Sequence, residues 1–181
     1  RGYEWYIKKL KKVNKKKIYF KKKEKSFEID LIRGQNFKFW KDFIKNKNLI
    51  ARVINHYKQI WPNKVRVPYH GDLTIQNIIF ENNNSIFLVD WENFKKKEVW
   101  GLDICYFLIS LVVLPALQQN KNDINQENLF YLKNIWKKFF FKKKFSYIKN
   151  PIKYMKKKYK KDHFLYKIPI KMENQILNTI M

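Results

Sequence analysis

Residues 70–77 read His70-Gly71-Asp72-Leu73-Thr74-Ile75-Gln76-Asn77, and residues 88–92 read Leu88-Val89-Asp90-Trp91-Glu92. These runs contain two aspartates and an asparagine at the spacing of a phosphoryl-transfer site. In such a site one Asp takes the proton of an acceptor hydroxyl, while an Asn and a second Asp hold Mg²⁺. The spacing therefore predicts that Asp72, Asn77 and Asp90 act together.

The segment before this motif has the pattern of a β-strand. Polar and apolar side chains alternate through residues 65–69. Pro68 favours an extended approach, because the residue before a proline is pushed out of helical geometry. Gly71 then allows a tight backbone turn beside Asp72. We expect the strand to deliver the chain directly into the motif.

Two short apolar runs separate the halves of the motif. Residues 78–80 and 86–89 are apolar, and residues 81–85 between them are rich in turn formers. This pattern predicts a β-hairpin. The hairpin would fold Asp90 back towards Asn77, bringing oxygen ligands from distant positions to one hard cation.

The rest of the chain is mainly helical in pattern. Helical periodicity occurs at residues 3–10, 37–44, 49–60, 100–117, 123–141 and 172–181. The basic and aromatic stretch at 142–161 is compatible with a helix around Tyr147, Tyr154 and Tyr159. Residues 26–33 predict a short strand or an extended linker, and Lys95–Lys97 predict a solvated turn. The apolar stretch Ile104–Leu117 is shorter than the about 20 residues of a membrane span, so we interpret it as a buried helix. The chain is predicted to be a predominantly helical α+β protein.

The net charge is strongly positive but is a weak guide to partners. The formal charge is +25 in 181 residues. The excess of Lys accompanies Asn, Ile, Phe and Tyr, all encoded by A/T-rich codons, and only four arginines are present. Arg is the side chain best suited to phosphate and base contacts, so we do not expect specific nucleic-acid binding, while an anionic membrane surface stays open. The single Cys105 predicts a buried thiol and is compatible with a cytoplasmic protein.

Taken as a set, the motifs resemble the aminoglycoside phosphotransferase and choline kinase family, whose fold is similar to that of protein kinases. The resemblance rests on His70-Gly71-Asp72 with Asn77 after it, then Val89-Asp90-Trp91-Glu92, then Gly101-Leu102-Asp103. It is clearest over residues 45–115. It implies ATP as phosphate donor, Mg²⁺ as cofactor and a small-molecule hydroxyl as acceptor.

The resemblance also implies roles for single residues. Asp72 would be the catalytic base. Asn77 and Asp90 would bind the Mg²⁺ that bridges the nucleotide phosphates, and Glu92 would make a further or water-mediated metal contact. The simpler alternative for each carboxylate is a turn residue or a helix cap.

The histidines divide into two kinds. The resemblance implies that His70 and Asp103 brace the catalytic loop through hydrogen bonds without taking part in the chemistry. His56 and His163 have no second ligand at metal-binding spacing, so we interpret them as ordinary surface histidines. His163 lies in a lysine-rich tail.

The family pattern is incomplete in this chain. Kinases of this kind need an N-terminal β-lobe with a glycine-rich loop, but the four glycines here cannot form one. We therefore predict a single C-terminal kinase lobe, with a helical lead-in at 1–64, the catalytic loop and metal hairpin at 65–103 and a helical acceptor-side subdomain at 104–181. The N-terminal lobe would be truncated; a natural minimal or inactive homologue is the alternative. Such a chain alone should bind nucleotide poorly.

Two function classes follow from these observations. The first is an ATP-dependent phosphotransferase acting on a small-molecule hydroxyl. The sixteen lysines and four acidic residues from Ile104 onward disfavour a polycationic acceptor, and leave a choline-like amine alcohol held by aromatic rings, or a sugar. The second is an inactive kinase-like module that binds nucleic acid or an anionic surface through its basic face.

Overall fold

Helices dominate the part of the chain that the structure describes. The computed structural model describes residues 2–13, 18–21, 26–29, 43–81, 85–140 and 148–181. Its helices are α1 (Gly2–Val13), α2 (Lys47–Ile60), α3 (Leu102–Gln118), α4 (Gln126–Phe140), α5 (Pro151–Lys156) and α6 (Ile170–Ile180). Its strands are β1 (Ile18–Lys21), β2 (Ser26–Ile29), β3 (Arg66–Tyr69), β4 (Ile78–Phe80), β5 (Ile86–Leu88) and β6 (Lys95–Val99). The predicted helix-rich α+β fold class is confirmed.

The strands form three antiparallel pairs, β1 with β2, β3 with β6 and β4 with β5. The lead-in at 1–64 thus carries one strand pair beside its helices. The predicted helix at 37–44 falls largely outside the described residues, and only a 3-10 turn at Phe43–Lys45 is seen there. The predicted absence of an N-terminal β-lobe stays a prediction.

The predicted hairpin is present. Ile78 pairs with Leu88 and Phe80 pairs with Ile86. Beyond the strands, the Val89 N–H donates to the Asn77 carbonyl at 3.0 Å. The hairpin therefore returns the chain beside Asn77, one residue before Asp90.

Arg52 on α2 holds the two ends of the hairpin turn. Its Nη2 donates to the carbonyls of Glu81 and Ser85, at 2.9 and 3.0 Å. The turn residues 82–84 between them lie outside the described residues. A single side chain thus joins α2 to the hairpin that leads to the site.

The solvated turn predicted at Lys95–Lys97 is wrong. These lysines begin strand β6, in which Tyr69 pairs with Lys95 and Arg66 pairs with Val99. The lysine side chains are exposed, while Glu98 and Val99 are buried. Three identical residues conceal the alternation that marks a strand, and the partner strand lies far away in sequence.

Helix α3 forms the centre of the core. It is buried on all sides from Leu102 to Val113, as the continuous apolar run predicted. Ser110 is accommodated because its hydroxyl donates to the Phe107 carbonyl at 2.8 Å. None of the helices in the described part of the chain has the length and apolar character needed to cross a bilayer.

Ion pairs hold the C-terminal segment, residues 148–181, to the strands and to itself. The Lys158 ammonium lies 2.5 Å from a carboxylate oxygen of the buried Glu98 on β6, and Tyr154 donates to the other oxygen at 3.2 Å. Lys156 pairs with Glu173 of α6 at 2.6 Å. The basic and aromatic stretch 142–161 contains the short helix α5, and its residues 142–147 lie outside the described residues.

The interpretation of His56 as a surface histidine is wrong. Its side chain is only 7% exposed, and its Nε2 lies 3.0 Å from the hydroxyl of Tyr6 on α1. The same hydroxyl accepts the Leu88 N–H at 3.0 Å. Helix periodicity placed His56 beside the apolar face, and only the packing of α1 on α2 covers it.

We expect His56 to make stability depend on pH. Burial lowers the pKa of His56 from 6.5 to about 4, so the unfolded chain binds a proton that the folded chain does not when the pH falls below 6.5. The free energy of unfolding should therefore decrease as the pH falls. His56→Gln keeps a hydrogen-bonding group that does not titrate. Between pH 7 and pH 5, urea unfolding should show wild type losing on the order of 2 kcal/mol more than this variant. Equal losses would contradict the prediction.

Candidate active site

The motif loop depends on a glycine at its tight turn. Gly71 has φ of +90°, and a Cβ there would lie 2.4 Å from the Asn93 carbonyl oxygen. Any larger residue would be strained and would collide with backbone. Strand β3 ends at Tyr69, so this turn sets the direction in which Asp72 leaves the strand.

The Asp103 side chain forms hydrogen bonds with the backbone of the motif loop. It lies in the first turn of α3, and its carboxylate accepts the His70 N–H at 3.1 Å and the Gly71 N–H at 3.2 Å. The side chain is 1% exposed. Burial raises the pKa of Asp103 to about 7, and the two N–H groups lower it against that effect. The carboxylate is thus an acceptor that the loop backbone requires.

His70 links the loop to the end of the hairpin. Its Nδ1 accepts the Asp72 N–H at 3.3 Å, so Nε2 carries the proton and donates to the Val89 carbonyl at 2.9 Å. Burial lowers the pKa of His70 to about 4, although the Val89 carbonyl raises it, and the ring is therefore neutral at pH 7. It packs on Trp91, with ring centroids 4.3 Å apart. His70 thus positions the residues on both sides of Asp90.

Both oxygens of the Asp72 carboxylate accept hydrogen bonds. The Tyr106 hydroxyl donates to Oδ1 at 2.7 Å, and Nδ2 of Asn77 donates to Oδ2 at 3.0 Å and to the Asp72 carbonyl at 2.8 Å. The side chain is partly exposed. Burial raises the pKa of Asp72, the Tyr106 and Asn77 hydrogen bonds lower it, and the charge of Asp90 raises it. This carboxylate is therefore oriented by two hydrogen bonds and stays partly exposed to solvent.

Asp90 occupies an unusual backbone conformation. Its φ is +59°, in the left-handed region that non-glycine residues seldom adopt. Its N–H donates to the Tyr3 hydroxyl at 3.2 Å. The next residue, Trp91, is buried against the rings of Tyr6 on α1 and of Trp61, which follows the last residue of α2. Such strain persists only where the surroundings hold it, and it is common at functional sites.

The donor set suits a hard cation. No group of three or more His, Cys, Asp or Glu side chains within the described residues could hold a metal. Mg²⁺, however, needs only one or two carboxylates besides phosphate and water oxygens. The Asn77 amide uses its nitrogen for Asp72, which leaves its oxygen for a cation, and the Asp90 side chain is exposed. Asn77 and Asp90 therefore fit Mg²⁺, and Glu92 is exposed nearby in sequence.

Three site residues escaped the sequence analysis. Tyr106 lies one turn after Asp103 on α3, a spacing that places both side chains towards the loop. Tyr159 donates to the Gly71 carbonyl, and His163 lies 3.0 Å from the Tyr106 hydroxyl. The interpretation of His163 as an ordinary surface residue is wrong. The i, i+3 spacing from Asp103 could have signalled the position of Tyr106. No local pattern could have signalled Tyr159 and His163, because they lie far from the loop in sequence.

These features define a kinase-like protein. A family model described as the ecdysteroid kinase-like family matches residues 4–139. The match covers well over half of the chain, so the chain belongs to the ecdysteroid kinase-like family, which is protein-kinase-like and related to the choline kinases. No curated protein and no solved structure matches the chain significantly. The kinase-like resemblance is thereby confirmed, and the narrower aminoglycoside phosphotransferase assignment stays a prediction.

We expect Asp103→Asn to destabilise the fold. Both carboxylate oxygens lie 3.1 Å from the His70 nitrogen, and Oδ1 also accepts the Gly71 N–H. The amide oxygen could keep the place of Oδ1, but the N–H₂ group at the place of Oδ2 would be a buried donor that faces the His70 N–H. The cost should be about 2 kcal/mol, measured by urea unfolding. Asp123→Asn is the matched control, because the Asp123 side chain is about half exposed and pairs with Lys171 and not with backbone N–H groups of the loop. A midpoint for Asp103→Asn equal to that of the control would refute the assigned bracing role.

Proposed function

We propose that the protein is an ATP-dependent phosphotransferase that acts on a hydroxyl group of a small molecule. Membership of a kinase-like family supports a phosphotransferase at the coarse level. The observation that carries the finer proposal is the Asp72 carboxylate, which is partly exposed and oriented through both oxygens. Oriented carboxylates of this kind serve as the base in phosphoryl transfer.

The proposed reaction assigns each residue a separate task. Asp72 accepts the proton of the acceptor hydroxyl as that oxygen attacks the γ-phosphorus of ATP, and ADP leaves. Asn77 and Asp90 would hold Mg²⁺ through their side-chain oxygens, with Glu92 as a more distant contact. The bound cation would supply neutralisation of the phosphate charge. His70 and Asp103 keep the loop in register without touching the reacting atoms.

Three classes of acceptor follow from the sequence and from the family description. The family is named after ecdysteroid kinases, which adds a hydroxylated steroid to the choline-like amine alcohol and the sugar considered above. All three offer a hydroxyl to Asp72. A panel with one member of each class would identify the acceptor.

We also propose that the glycine-rich nucleotide lobe belongs to the full-length protein and that the protein is cytoplasmic.

Loss of the base should abolish turnover. Asp72→Asn should lower kcat of the full-length protein at least about 100-fold, since the amide cannot take the acceptor proton. The readout is ADP release with ATP, Mg²⁺ and the acceptor panel. Asp123→Asn on the surface is the control and should match wild type. Unchanged activity in Asp72→Asn at equal thermal stability would reject the proposal.

The inactive-module alternative makes a different prediction. A basic module would bind a polyanion such as heparin with an affinity that falls steeply with salt, and Asp72→Asn would not alter it. Salt-sensitive binding without ADP release by wild type would favour this alternative. The two proposals are therefore separated by one pair of assays.

Asp90 should control the metal requirement. Asp90→Asn replaces a charged ligand oxygen by a neutral one, so the Mg²⁺ concentration for half-maximal turnover should rise about ten-fold or more. The measurement is ADP release during a Mg²⁺ titration at saturating ATP. Asp123→Asn, which changes an aspartate in the connection between α3 and α4, is the control. An unchanged Mg²⁺ requirement would remove Asp90 from the metal site.

A further inference from the structure

A chain of hydrogen bonds runs from the C-terminal segment to the proposed base. Nε2 of His163 lies 3.0 Å from the Tyr106 hydroxyl, and that hydroxyl donates to Oδ1 of Asp72 at 2.7 Å. Tyr106 is 1% exposed. Burial, and then the charge of Asp72, raise the pKa of Tyr106, so its proton stays on the phenol. His163 therefore acts on Asp72 through a buried hydroxyl.

The backbone determines which nitrogen of His163 carries the proton. Nδ1 accepts the Leu165 N–H at 3.3 Å at the start of the 3-10 helix Phe164–Lys167, so in the neutral ring the hydrogen lies on Nε2. Burial lowers the pKa of His163 to about 4, although Asp162 raises it, and the ring is neutral at pH 7. Nε2 then donates to Tyr106, whose own hydrogen is left to donate to Asp72. In this tautomer His163 cannot accept a proton from Tyr106.

The segment that carries His163 is anchored to the motif loop. The Tyr159 hydroxyl donates to the Gly71 carbonyl, and the Tyr69 hydroxyl lies 2.6 Å from the Tyr159 hydroxyl. The rings of Tyr159 and His163 stack with centroids 4.0 Å apart and planes 20° apart. These contacts restrict the imidazole to one orientation. The segment lies beyond residues 4–139, so the family match does not include it.

We propose that His163 is a positioning residue for phosphoryl transfer, which orients the Tyr106 hydroxyl and thereby holds the Asp72 carboxylate in the plane required by the acceptor hydroxyl. This proposal rests on the proposed function, because it assigns Asp72 the role of base. His163 touches neither substrate nor phosphate. Neither ring nitrogen is free to accept a proton, since Nε2 donates its hydrogen to Tyr106 and Nδ1 accepts the Leu165 N–H.

Kinetics of four variants test the proposal in the full-length protein. His163→Ala should lower kcat about ten-fold with the KM for ATP unchanged, because one oriented hydrogen bond is lost. His163→Gln, whose amide N–H can reach the position of Nε2, should recover most of the loss. Tyr106→Phe should be at least as slow as His163→Ala, and the Tyr106→Phe/His163→Ala double variant should be no slower than Tyr106→Phe alone.

The control removes a hydroxyl from the same segment. Tyr166 is 40% exposed and donates to the Lys156 carbonyl, away from the loop, so Tyr166→Phe should retain wild-type kcat. Thermal melting of every variant separates lost positioning from lost fold. A His163→Ala enzyme with wild-type kcat would overturn the proposal. So would additive losses in the double variant, or a His163→Gln enzyme no faster than His163→Ala at equal stability.

A spectroscopic readout separates this proposal from the proposed function. Nitrogen-15 NMR of histidine-labelled protein at pH 7 should show His163 protonated at Nε2, and Tyr106→Phe should shift that resonance. An Nδ1-protonated His163 would overturn the positioning role whether or not the protein turns over ATP. The wild-type protein could instead show the Nε2 tautomer and phosphorylate no acceptor. That result would reject the phosphotransferase function and the positioning role of His163 in catalysis, although the hydrogen-bond chain itself would be established.

Discussion

The buried carboxylate of Asp103 and the backbone N–H groups of His70 and Gly71 form the interaction on which the site depends. The loop must turn sharply after β3, and a turn of this kind leaves N–H groups that the strand ladder cannot satisfy. Asp103 accepts them from the start of α3, the most buried helix of the described chain. An unsatisfied buried donor is costly, so the loop and the core helix are stable only together.

Hydrogen bonds extend this constraint outward in two directions. The His70 ring donates a hydrogen bond from the loop to the Val89 carbonyl and so fixes the backbone immediately before Asp90. Asn77 and Tyr106 hold the two oxygens of Asp72. These two side chains, Asn77 and Tyr106, thus define where the Asp72 carboxylate can point. Such preorganisation suits catalysis, because the groups need not rearrange when charge develops.

Aromatic side chains have two roles in this protein. The rings of Tyr6, Trp61 and Trp91 fill the space between α1, α2 and the hairpin. The hydroxyls of Tyr3, Tyr6, Tyr106 and Tyr159 also form hydrogen bonds with backbone or carboxylate groups of other elements. Part of the lysine excess is likewise structural, since Lys156 and Lys158 pair with Glu173 and Glu98. Composition alone therefore says little about ligands.

Local pattern was enough to foresee the motif loop, the hairpin after it and the long buried helix, because turn residues, alternation and continuous apolar runs act over a few neighbouring positions. It was misleading at Lys95–Lys97, His56 and His163. Strand β6 exists only because β3 lies beside it, His56 is buried only because α1 covers it, and His163 reaches Tyr106 across 57 positions of sequence. The sequence by itself determines which charged residues the candidate site contains and how they are spaced along the chain. The directions of the hydrogen bonds in the site are decided by the packing of distant segments, because no local pattern encodes a contact between remote residues.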